Sequence, residues 1–209
     1  EGDTMRRSIF LGTGLALLFA GTATGQTIVG SEHDFSGDTW NTTGEICVVC
    51  HTPHNADATV SNAPLWNHQV TGSTFTVYSS PTLDATVGQP GGSSKLCLSC
   101  HDGTVALDNF AGKTNGTNFI SGGELLGTDL SNDHPLSFTY NTALATADGG
   151  LNDPATASSG LGGTIDADML FAGQVQCASC HDVHNGSGVA KLLRKSNAAS
   201  ALCLTCHAK

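Results

Sequence analysis

Basic side chains are scarce in this sequence. Its 209 residues include 8 Lys and Arg against 18 Asp and Glu, for a formal net charge of −10. Such a chain repels phosphate backbones and anionic headgroups, which excludes nucleic acid as a partner. Long apolar runs are also missing. The longest, Ile9 to Ala20, falls short of the roughly 20 residues that a spanning helix needs, so no membrane span is expected. Long amphipathic periodicities are absent too, and charged residues make up only 12%. Gly is abundant at 26 residues, and the stretch from Ala111 to Gly163 is mostly Gly, Asn, Thr, Ser and Asp broken by single apolar residues. A chain with so little side-chain volume needs another source of buried apolar area.

The N-terminus carries an export pattern. Met5-Arg6-Arg7 supplies a positive start, Ile9–Ala20 the short apolar stretch, and Gly21–Gly25 the small residues of a cleavage point. Residues 1–25 therefore read as a signal peptide, cleaved near Gly25–Gln26 or, almost as well, at Ala23–Thr24. Residues 1–4 read as a reading-frame artefact. The mature chain, 26–209, has a length suited to one domain. Extracellular or cell-surface localisation is expected, with the periplasm as the alternative.

No cysteine is left over for a disulfide. All eight fall in four CxxCH units: Cys47-Val48-Val49-Cys50-His51, Cys97-Leu98-Ser99-Cys100-His101, Cys177-Ala178-Ser179-Cys180-His181 and Cys203-Leu204-Thr205-Cys206-His207. We number these motifs I to IV. CxxCH is the attachment signature of haem c. One helical turn puts both sulfurs and the imidazole on one side of a macrocycle, so the thiols form thioethers and the His ligates iron. A lone CxxC could be half a zinc site or a redox dithiol. Four copies, each followed directly by His, argue for four covalently bound haem c groups, and these flat apolar bodies supply the missing core. The expected fold is mostly irregular loop, with short helices at the CxxCH motifs and few short strands.

Nine histidines are present. Four are the proximal candidates His51, His101, His181 and His207. The other five, His33, His54, His68, His134 and His184, exceed by one the four distal ligands that bis-His iron requires. The sequence also repeats. CVVCHTPHN (47–55) matches CASCHDVHN (177–185), LCLSCH (96–101) matches LCLTCH (202–207), and each half has a His upstream, His33 or His134. This reads as two di-haem modules, about 30–110 and 130–209, with His33 and His54 distal in the first, His134 and His184 in the second. The second His of CxxCHxxH faces away from its own haem and so serves a neighbour. His68 is then either a core or surface His beside Trp66, or a ligand that frees His54 to reach a haem of another subunit.

With these motifs in hand, the chain resembles the doubled-CxxCH multihaem cytochromes. The likeness is greatest to the OmcE-type tetrahaem cytochromes of extracellular conducting filaments. It is carried by GSEHDFS (30–36), GEICVVCHTPHNA (44–56), APLWNH (63–68), KLCLSCHDGTVALD (95–108), NDHPLSF (132–138), CASCHDVHN (177–185) and ALCLTCHAK (201–209), and the ending also resembles the hexahaem OmcS type. The resemblance implies low-spin bis-His haems in alternating parallel and T-shaped pairs, and one distal His donated across a subunit junction. That donor carries over only to His54. Motifs I and IV lie near the two ends of the mature chain, which suits head-to-tail association into an open filament.

The expected function is electron transfer without catalysis, through a filament or, alternatively, a monomeric periplasmic shuttle. A multihaem reductase is a third reading and would need an iron with an open face. Redox partner proteins or extracellular acceptors are implied in every case. Asp102-Gly103-Thr104 and Asp182-Val183 read as turn residues. The Asn132-Asp133 and Asn152-Asp153 pairs read as loop rather than calcium ligands. Asn41-Thr42-Thr43, Asn115-Gly116-Thr117 and Asn185-Gly186-Ser187 match the glycan acceptor pattern weakly. Trp66, Phe110, Phe138 and Phe171 are expected against porphyrin faces.

Overall fold

The computed structural model describes residues 28–208. The signal peptide and its cleavage point lie outside the described residues. Loops dominate, as the composition demands. Among the described residues the longest helix, α1 (Gly92–His101), carries motif II, and the other α-helices are α2 (Thr142–Asp148), α3 (Ile165–Met169), α4 (Cys177–Cys180) and α5 (Cys203–Cys206). Helices this short are marginal alone, because nucleation fixes several residues for one hydrogen bond. Their ends are accordingly secured. Asn141 accepts from Leu144 N at the start of α2, which stops on Gly149 in the left-handed region, φ +68°. Thr164 accepts from Ala167 N to open α3.

Strand structure is equally slight. β1 (Phe138–Thr139) pairs antiparallel with β2 (Gln174–Val175), with Phe138 opposite Val175. Around this ladder lies the largest apolar cluster: Phe138, Tyr140, Ala145, Ile165, Met169, Val175 and Leu202. Two smaller clusters, Val60 with Trp66 and Leu96, and Phe75 with Leu98 and Leu130, each take in one leucine of α1. Phe110 is buried as well, whereas Phe171 is 38% exposed.

The turn expected after motif II is formed. Asp102 Oδ1 accepts from Thr104 N at 2.7 Å, which stops the chain after α1. Among the described residues no group of three or more His, Cys, Asp or Glu side chains is arranged to hold a metal ion by itself. Asn41 is buried, its amide donating to Phe35 O at 3.0 Å and Glu45 O at 3.1 Å, so this side chain is a structural clasp rather than a glycan acceptor.

Candidate functional site

Motifs II, III and IV are helical, and motif I is a turn closed by the same kind of bond. In motifs I, III and IV the His N–H donates back to the first Cys carbonyl, at 2.8, 3.0 and 3.0 Å respectively. In motif II, α1 runs through His101, so residues three and four apart share a face. Both sulfurs and the imidazole of each motif thereby point the same way. At motifs III and IV the helix then stops, because His181 and His207 take extended backbone angles.

The segments C-terminal to motifs I and III are also repeated. Thr52 N donates to Leu65 O and Asn67 N to Cys50 O, at 2.9 Å each. Asp182 N donates to Leu192 O at 2.7 Å and Arg194 N to Cys180 O at 2.8 Å. Residues 65–67 and 192–194 thus clamp His51 and His181 in the same register. The match extends to backbone angles. Asn55 and Asn185 have φ of 56° and 57°, and Leu65 and Leu192 have 54° and 55°, a region costly for leucine. Motif IV is held in a related way, with Asn152 N on Cys206 O and Ala208 N on Gly150 O, both at 2.8 Å.

These clamps aim the imidazoles. His51 Nδ1 donates to Pro64 O at 2.6 Å, His101 Nδ1 to Glu124 O at 2.8 Å, and His181 Nδ1 to Lys191 O at 2.9 Å. The carbonyl can only accept, so the proton sits on Nδ1 and Nε2 carries the free lone pair. This is how metal-bound histidines are fixed in tautomer and orientation. Pro64, Glu124 and Lys191 act through main-chain oxygens, which no side-chain pattern reveals. The shared leucine after Pro64 and Lys191 is the one sequence trace of that role.

Three of the four proximal candidates face a second imidazole. His33 lies 6.1 Å from His101, His184 lies 6.1 Å from His51, and His134 lies 6.3 Å from His207, between ring centroids. Two trans imidazoles on one metal, with metal–nitrogen bonds of about 2.0–2.1 Å, put their centroids about 6.3 Å apart. The interplanar angles are 49°, 15° and 77°. Burial, then the facing His101, pulls the His33 pKa down to about 4, so this imidazole is neutral and able to donate its lone pair.

The pairing differs from the module-by-module expectation in one respect. His184 crosses from the second half of the chain to motif I, so the halves interlock. His181 and His54 are both exposed, and among the described residues no second imidazole lies against either. His68 is set differently from the other candidates. It is 1% exposed, with Nδ1 2.9 Å from Gln69 O and Nε2 3.0 Å from Ala106 O, so both nitrogens face carbonyls. Burial lowers its pKa and keeps it neutral. His68 lies under Cys100, whose sulfur is 3.6 Å from Nε2, and packs edge-on to Trp66.

The remaining surface suits a flat apolar group. Leu65, Leu125, Leu126, Val183 and Leu204 are large apolar side chains left exposed, and all flank or belong to a motif or the segment that clamps it. Burial raises the thiols of Cys50 and Cys206 to about 11 and that of Cys100 to about 12. These sulfurs sit in apolar surroundings suited to thioethers.

A family model described as the doubled CXXCH motif matches residues 170–209, which span motifs III and IV. Its motif is the haem-binding motif of c-type cytochromes. The CXXCH motifs of this chain mark covalently bound c-type haem, and the match supports a multihaem cytochrome involved in electron transfer. A comparison with curated proteins returns no match.

Proposed function

We propose that this chain carries four haem c groups, each with His on both faces, and passes electrons as the repeating subunit of an extracellular filament. Cys47 and Cys50, Cys97 and Cys100, Cys177 and Cys180, and Cys203 and Cys206 would hold the four groups. Haem iron held by two imidazoles exchanges single electrons and offers no open position to a substrate. The reading is thus of an electron carrier and not an enzyme. The chain's own part is to fix the imidazoles through the Pro64, Glu124 and Lys191 carbonyls and to wall the sites with apolar side chains.

The observation that carries the filament reading is a mismatch of one. His181 is aimed by its carbonyl but has no imidazole opposite it among the described residues, while His54 is exposed and faces none. Motifs I and III share the bond from His back to the first Cys, the two clamp bonds and the left-handed Asn and Leu residues. His184 of motif III serves motif I within the chain. The equivalent residue of motif I is His54, and a motif III in a second copy is its matching target. One contact of this kind leaves a spare His54 at one end and an unmatched His181 at the other, so it propagates. Cryo-electron microscopy of the mature holoprotein tests this. Filaments that shorten to single subunits on His54→Ala support it, and wild-type protein that stays monomeric at all concentrations overturns it.

The same mismatch favours a second reading. In a monomeric shuttle, motif III would have one open face, as a reductase site also needs. Carbon monoxide separates the cases: binding to one haem in four by the native, assembled protein favours the open site, and no binding favours the closed filament.

A further inference from the structure

Motifs II and III are joined by a buried polar clasp. Ser94, one turn before Cys97, accepts from Cys177 N at 2.9 Å. Gln176 Oε1 accepts from Ser94 N at 3.3 Å and from Ser137 Oγ at 3.0 Å. Gln176 Nε2 donates to Gln174 Oε1 at 3.1 Å, and Gln176 N donates to Ser179 Oγ at 2.9 Å. Ser94, Gln176 and Ser179 are 0%, 2% and 3% exposed. Gly92 makes room for this side chain: its φ is +48°, and a Cβ there would come within 3.3 Å of Gln176 Nε2.

Burying an amide and two hydroxyls costs free energy unless every partner is met, and an apolar contact would hold two helices together with less demand. What a satisfied polar network adds is a single register. Ser94 and Cys97 are three residues apart on one face of α1, so the bond to Cys177 N brings the start of α4 onto the face that carries Cys97. Cys97 and Cys177 thereby lie where α1 packs on α4. In the haem-bearing protein their sulfurs are thioether sulfurs, so each is the link to its own macrocycle.

We propose that Gln176 and Ser94 are positioning residues that lock motif II against motif III so that electrons cross between these two sites where α1 packs on α4. This rests on the reading of motifs II and III as haem sites. A single electron crossing leaves one site oxidised and the other reduced by one, with no bond or proton changing place. Electron transfer decays exponentially with separation, so a slipped register at this contact slows the whole path while leaving each site intact.

The test uses the mature holoprotein. Gln176→Leu keeps the volume and removes the acceptor, Gln176→Glu keeps an acceptor oxygen, and Ser94→Ala removes the bond to Cys177 N. Mass spectrometry first counts covalent haem, and the ferric spectrum reports ligation. Expected for Gln176→Leu and Ser94→Ala are unchanged haem number, unchanged low-spin spectra, loss of Soret circular-dichroism couplet intensity, and slower internal electron equilibration after flash photoreduction. Gln176→Glu is expected to restore both signals. Fully haem-loaded Gln176→Leu and Ser94→Ala proteins with wild-type couplet and equilibration rate, even with lowered melting temperatures, overturn the proposal. Wild-type protein with no covalent haem overturns the underlying haem reading instead.

Discussion

His51 and His184 face each other at 6.1 Å with their ring planes 15° apart, although they come from opposite halves of the chain. Their backbones are held independently, His51 by the 64–67 clamp and His184 by its N–H on Asp182 Oδ1 at 3.0 Å. Neither ring therefore needs the other to find its place. Under the proposed function the two are ligands of one iron.

Removing His184 with His184→Ala should therefore take away one ligand and leave the His51 side intact. The expected outcome is a protein with full haem content in which one iron in four becomes high-spin and binds carbon monoxide. His33→Ala and His134→Ala are expected to do the same at motifs II and IV. Ferric electron paramagnetic resonance checks the result, and uniformly low-spin spectra in all three variants would contradict the pairing.

His68 gives the opposite expectation. Both of its nitrogens face carbonyl oxygens in the core, so His68→Ala leaves all irons low-spin but opens a cavity and strands the one carbonyl that its N–H serves. A loss of about 2–4 kcal/mol in unfolding free energy is expected. Denaturant melts followed at the Soret band measure it alongside the ligation state. A new high-spin signal in this variant would return His68 to the ligand set.

The contrast between these two residues marks how far the sequence was legible. CxxCH spacing announces itself because the chemistry needs consecutive residues. The loop-rich fold was readable from the excess of Gly and the shortage of amphipathic pattern. The histidine arithmetic offered five candidates and no way to choose among them. His68 and His184 are identical in type, and the difference lies in carbonyls at Gln69 and Ala106 for one and an imidazole at His51 for the other. Such partners are brought together by long-range packing, which local periodicity does not encode. The repeat of motif I in motif III was visible, but that it would place His184 across the module boundary depended on the clamp segments, whose acceptors are main-chain oxygens.

Asp108 supplies a pH-dependent contribution. Burial alone would raise its carboxyl, but the Lys113 amine and the Asn118 amide overcome this and hold it well below the ordinary 3.8. Its Oδ1 also accepts from Thr117 N at 3.1 Å and Asn118 N at 3.0 Å, which ties the 108–118 loop. A depressed carboxyl stabilises the fold fully above 3.8 and loses that effect as pH falls through the folded value. Lys113 is half-exposed, so the backbone donors carry most of it. Asp108→Asn is expected to cost about 1–3 kcal/mol at neutral pH. The gap between variant and wild type should narrow below pH 3.8, and melts from neutral pH down to acid conditions reveal whether it does.

Tyr140 ties the last motif to the largest apolar cluster. Its ring is 2% exposed among Phe138, Ile165 and Met169, and its hydroxyl donates to Asn152 O with Cys206 O also within reach at 3.3 Å. Cys206 O already accepts from Asn152 N at 2.8 Å, so the hydroxyl closes a small ring of bonds behind His207. Burial, then the nearby Cys206, raises the phenol far above its ordinary 10.0, and it stays a donor at any pH the fold survives. Tyr140→Phe keeps the packing and leaves Asn152 O without that donor. The expected cost is about 1–2 kcal/mol. The effect should be local as well as global, because residues 150–152 are the clamp of motif IV. Hydrogen exchange at Ala208 N and Asn152 N is expected to accelerate, while exchange at Thr52 N and Asp182 N, in the clamps of motifs I and III, keeps its wild-type rate. Equal acceleration at all four amides would mean that Tyr140 supports the fold at large and has no particular tie to His207.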